Sequence, residues 1–166
     1  MYSTLAAATL LLAAAAGDLR DYRIPNGLIF IGYAAGSFYS YLRLGRTFFP
    51  TFVFDAVWPV VLLYVLFYIG ALGAGDVKLF SVVSVFVGFS AMKTLLPLAF
   101  FIGGAAAAVK MLYSGDLIYR MSHLFSHVSR CIVTKKPVPY VPVGKCRELH
   151  FSLSILTAFL ITEVMS

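Results

Sequence analysis

The chain has 166 residues, of which 61% are hydrophobic and 12% charged, and its mean hydropathy is +0.91. A soluble domain usually carries about 25% charged residues, so this chain lacks the polar surface to wrap a water-soluble globule and reads as an integral membrane protein. The net charge of +6, from 13 Lys+Arg against 7 Asp+Glu, comes from basic residues interleaved with apolar runs. No groove-facing stripe forms, which argues against nucleic-acid binding.

Six apolar stretches predict an all-α membrane protein with about six transmembrane helices, read as one transmembrane domain over residues 1–166. The first runs from about Tyr2 to Gly17. Its Leu5 to Gly17 core has the look of a secretory signal, but Met-Tyr-Ser-Thr supplies no basic residue ahead of it, so a retained helix is expected. The others run from about Gly27 to Leu42, Phe52 to Leu72, Val77 to Ala91, Thr94 to Tyr113 and Leu149 to Met165. Several are shorter than the roughly 20 residues of an upright span, which suits a locally thinned or water-invaded membrane.

Basic residues set the orientation. Arg20, Arg23, Lys78, Lys110, Arg120, Arg130, Lys135, Lys136, Lys145 and Arg147 fall on the side of the loops after the first, third and fifth spans. Only Arg43, Arg46 and Lys93 fall on the other. The first side is therefore cytoplasmic and the N-terminus lies outside. Tyr39, Tyr41, Phe48, Phe49 and Trp58 suit an outer aromatic belt, and Asp55, Glu148 and Glu163 fall near span ends, where they are expected to face water. The Gly103-Gly104-Ala105-Ala106 run permits close helix packing.

Residues 116–148 form the connection before the last span. Between Asp116 and Val133 the apolar residues Leu117, Ile118, Met121, Leu124, Phe125, Val128 and Ile132 have the spacing of a helix lying in the interface, its basic face toward anionic membrane lipids. Three prolines, Pro137, Pro139 and Pro142, then enforce an extended entry to the last span. His123 and His127 are four apart, as two metal ligands would be, but no third ligand accompanies them, and headgroup contact explains them better. Cys131 and Cys146 have no CxxC partner, which predicts reduced cytoplasmic thiols rather than a zinc site or a disulfide.

The chemistry concentrates in two acidic stretches. In Gly17-Asp18-Leu19-Arg20-Asp21-Tyr22-Arg23-Ile24-Pro25-Asn26-Gly27, Pro25 drives Ile24 out of helical geometry. The second span is therefore expected to begin near Asn26, with Asp18 closing the first span and Asp21 in an exposed turn. In Gly73-Ala74-Gly75-Asp76-Val77-Lys78 a carboxylate stands at the start of an apolar span, a costly place unless it is paired, solvated or used. The glycines would let the backbone turn and approach other elements closely. Both acids reach the same face. Two carboxylates about 4–6 Å apart do not easily both ionise, so one would hold a proton and donate it while the other activates a water, a chemistry that needs neither metal nor cofactor.

At these residues the sequence resembles the type IV prepilin peptidases. Asp18 followed by Ile24-Pro25-Asn26 looks like their first aspartate motif, and Gly73-x-Gly75-Asp76-x-Lys78 like the second, the GxGD motif shared with other intramembrane aspartyl proteases. The short form is most similar to the peptidases of tight-adherence (Flp) pilus systems. The resemblance implies a peptidase of the bacterial inner membrane that removes a basic cytoplasmic leader from a prepilin, with Asp18 and Asp76 catalytic. Gly73 and Gly75 would shape the turn, Lys78 would bias the pair by its charge, and Pro25 and Asn26 would mark a helix start or a substrate contact. Larger members carry a methylating domain with paired cysteines, and no such region precedes the second span here, so methyl transfer is not expected.

Other classes stay open on the residues alone. Asp18 could be an interfacial acid paired with Arg20 or Arg23, Asp76 could be a helix cap, and Lys78 could be a snorkelling anchor. A proton-coupled transporter or a non-catalytic pilus-assembly protein would also place acids at span ends.

Overall fold

The computed structural model describes residues 2–21, 24–114 and 151–165. They form five helices with no strand among them: α1 (Tyr2–Asp21), α2 (Asn26–Leu44), α3 (Phe48–Tyr68), α4 (Ala74–Ser114) and α5 (Phe151–Met165). A single 3-10 turn, Gly45–Thr47, joins α2 to α3. The chain divides into two compact units, residues 1–103 with 150–166, and residues 104–149. In the second, residues 104–114 are described and helical. The interfacial helix and the proline-rich entry expected between Asp116 and Gly144, with His123, His127, Cys131, Cys146 and Glu148, lie outside the described residues, as does Arg23.

Helix boundaries follow local chemistry. Pro25, extended at φ −61° and ψ 128°, caps α2, and its carbonyl accepts the Leu28 N–H at 3.0 Å. The expected start near Asn26 is thus observed. Helix α1 continues a turn beyond the expected Gly17, because the restriction imposed by Pro25 reaches back only to Ile24. Asp18 therefore sits in the last turn of α1, and Asp21 is an exposed helix end. Helix α3 closes on Gly70, at φ +75°, with Gly70 N–H donating to Phe67 O (3.0 Å) and Ala71 N–H to Leu66 O (2.9 Å). This Schellman pattern needs a left-handed residue, which glycine adopts without Cβ strain. The left-handed glycine before α4 is thus Gly70; Gly73 and Gly75 are not left-handed.

Helix α4 is broken at Gly88, whose φ 77° and ψ 169° lie where only glycine is at ease. Twenty residues of straight helix would separate Phe80 from Phe100 by about 30 Å, yet their rings stack with centroids 5.9 Å apart. Residues 89–103 therefore fold back along 74–87. The expected break between Ala91 and Thr94 falls a few residues earlier because glycine is available there. Helices α2 and α3 form a second hairpin by the same reasoning: the Ser81 hydroxyl accepts from Tyr33 Oη of α2 at 2.6 Å and donates to the Ala56 carbonyl of α3.

Small polar residues share the interior with large apolar ones, while many other large apolar side chains face out. Ser81, Ser84, Ser152 and Ser154 are buried beside Leu11, Phe80, Val83, Leu95 and Phe159, whereas Phe30, Phe101 and Tyr68 are three-quarters exposed. That distribution suits a lipid surround, where close approach and interhelical hydrogen bonds hold helices together. Two stretches, Asn26–Tyr68 and Ala74–Lys110, are long and apolar enough to cross a membrane, and each contains one of the hairpins. A Cβ added at Gly36 would lie 2.7 Å from Val85, and one at Gly103 would collide with the Phe151 ring, so both glycines permit contacts a side chain would block.

Two expectations change. Asp55 is buried (7% exposed) rather than facing water. Its carboxylate accepts the Phe89 backbone N–H, which the break at Gly88 leaves without a helical partner, and it lies within electrostatic reach of Arg43. Trp58 is half-buried, packs on Phe89 (centroids 5.0 Å apart) and donates to Ser84 Oγ at 3.1 Å, so this indole serves helix packing. The Ser81 relay has a measurable consequence. Ser81→Ala removes both of its bonds, and at about 0.6 kcal/mol for each interhelical bond it should cost about 1 kcal/mol, or about 2–4 °C of melting temperature in detergent. Fluorescence of the single tryptophan, Trp58, would follow the transition.

Candidate active site

The C-terminal end of α1 and the N-terminal ends of α2, α4 and α5 converge on one set of polar side chains. Asp18, only 8% exposed, accepts a hydrogen bond from Ser152 Oγ of α5 at 2.5 Å. Asp76, half-buried on the first turn of α4, lies close enough to Asp18 for the two charges to interact. Lys78, two residues along, donates from Nζ to Asn26 Oδ1 at the start of α2, 3.1 Å away.

The local sequence explains how Asp76 is held. Gly73 precedes α4, and its carbonyl accepts the Val77 N–H at 3.2 Å. The Asp76 carboxylate reaches back to the Gly73 backbone N–H. This is the acidic half of a capping box, with the acid three residues into the helix and a glycine, which has no side chain to return the bond, at the cap. A Cβ at Gly73 would lie 3.1 Å from Asp76 Oδ2, so a side chain there would displace the carboxylate. At Gly75 an added Cβ would meet Ile24 at 3.5 Å, an ordinary contact. Lys78 is exposed and engaged with Asn26, and Pro25 is exposed at the head of α2.

Gly32 explains how α1 and α4 come together. A Cβ there would lie 2.5 Å from Leu10 of α1 and 2.6 Å from Val82 of α4. Helix α2 is therefore a thin spacer against the two helices that bear the aspartates. Phe80, Phe100 and Phe151 pack as a triad at 5.4–6.0 Å between centroids and seat the start of α5 against both halves of α4.

Ser152 was missed in the sequence reading. The available signal was weak: a serine in an apolar helix must find a partner, but nothing in the sequence names it. Among the described residues no cluster of His, Cys, Asp and Glu could hold a metal ion.

Against this geometry, the sequence model of the type IV leader peptidase family matches residues 5–109, a stretch that contains both acids. The chain belongs to the type IV leader peptidase family. No curated protein and no solved structure gives a significant match. Membership makes the protein a membrane protease of the leader-peptidase kind, acting on prepilin-type substrates. Ser152 and α5 lie beyond the matched leader-peptidase region.

Proposed function

We propose that the protein is an aspartyl endopeptidase that removes the cytoplasmic leader of Flp-type prepilins, with Asp18 and Asp76 as its acid/base pair. The observation that carries this is the meeting of the two acids, far apart in the sequence, at one end of the helices. One carboxylate, ionised, takes a proton from water as the water attacks the scissile carbonyl; the other, protonated, donates to the carbonyl oxygen. The leaving amine is then protonated and the pair is reset. No metal or cofactor enters these steps.

Gly73 leaves room for the Asp76 carboxylate, while Gly75 permits the approach of Ile24. Pro25 fixes the start of α2 so that Asn26 can meet Lys78, tying α2 to α4 beside the pair. Six crossings of the bacterial inner membrane, with the N-terminus outside, put this end at the cytoplasmic face, the side favoured by the basic residues. A prepilin helix lying among the spans would then present its leader junction to the pair. The connection over residues 116–148 would rest on anionic lipid, and we assign no methyl transfer because the cysteines lack CxxC spacing.

Co-expression with an Flp-type prepilin tests the assignment, with leader loss read as a gel shift. With purified enzyme, kcat should give a bell-shaped pH profile, falling at low pH as the base is protonated and at high pH as the acid is lost. A profile flat across the carboxylate range would oppose the two-acid mechanism.

A further inference from the structure

Ser152 comes from α5, outside the matched family region, yet it touches one of the two acids. It is fully buried on the first turn of α5. Its hydroxyl crosses to α1 and donates to Asp18 Oδ2. A buried hydroxyl bonded to one oxygen of a carboxylate restrains the rotation of that carboxyl group, and hence the direction of its other oxygen.

We propose that Ser152 is a positioning residue for Asp18, which holds the carboxylate oriented toward Asp76. This rests on the assignment of Asp18 to the acid/base pair. Removal of the hydroxyl frees the carboxyl group to rotate, so the chemical step should slow while substrate binding is kept. Among the described residues, the other titratable side chains near this end are Asp76 and Lys78 on α4 and Arg20 and Asp21 on α1; Lys78 is engaged with Asn26, and Arg20 and Asp21 are exposed. Residues 151–162 of α5 carry no titratable side chain.

The test compares Ser152→Ala, Ser152→Cys and Asp18→Asn in the purified full chain with an Flp-type prepilin as substrate. Ser152→Ala should lower kcat by about 10- to 100-fold with KM little changed, the loss expected for a hydrogen bond to a charged group. Ser152→Cys keeps nearly the same volume but offers only a weak donor, so it should show the same loss with a wild-type melting temperature. That comparison separates positioning from packing if the alanine variant folds poorly. Wild-type kcat in Ser152→Cys, with Asp18→Asn inactive, would overturn the role of Ser152 and leave the aspartyl peptidase intact. An active Asp18→Asn would remove both.

Discussion

Asp18→Asn and Asp76→Asn should each lower kcat for leader removal by about 10³-fold or more, within the range that a positioned acid or base contributes. The substitutions are informative because the local contacts survive them. An amide oxygen at position 18 can still accept from Ser152, and one at position 76 can still take the Gly73 N–H. Melting temperatures should therefore stay within a few degrees of wild type, so that lost activity reports chemistry and not unfolding. The double variant should be hardly worse than either single one, since residues that act as a unit are not additive. Single-turnover cleavage of a purified prepilin, read on a gel, measures all three. Leader removal at wild-type rate in either single variant would leave the acids as a structural pair.

Gly32→Leu should have the second largest effect, through packing alone. A Cβ at this position already meets Leu10 and Val82 inside normal contact distance, and a leucine adds three further carbons to the same gap. Overpacking of this kind costs typically 1–3 kcal/mol, or about 2–12 °C of melting temperature for a chain of this size. The damage should not stop at stability, because the helices forced apart are those that bear Asp18 and Asp76. Peptidase activity should fall at least tenfold in Gly32→Leu, with Gly32→Ala intermediate in both measures. A leucine variant with unchanged melting and turnover would mean that α2 does not set the spacing of α1 and α4.

Much of this protein was legible before any coordinates. Apolar content with few charges pointed to a membrane protein, and continuous apolar runs without strand alternation pointed to helices, one of the two structures, with the closed barrel, that satisfy a backbone in lipid. Pro25 fixed the start of α2 because proline restricts the residue before it, a rule that operates within two residues. Both acidic motifs could be read for the same reason, as spacing along the chain carried them. Glycine was harder: the sequence shows where a Cβ is missing but not whether a turn or a neighbour requires it. Gly45, Gly70 and Gly88 proved to be the positions of positive φ, while Gly32 and Gly73 are glycines for lack of room.

The tertiary structure alone decided which helices meet and where the polar side chains end. Asp55 faces inward because a break in α4 exposes a backbone N–H beside it, and Ser152 reaches Asp18 because α5 packs along α1. Neither contact leaves a trace in local sequence, for the partners are brought together by helix packing and not by spacing. The sequence by itself determined the helical membrane class and the identity of the two acids. Their meeting, and the serine that holds one of them, depended on how closely small residues allow the helices to approach.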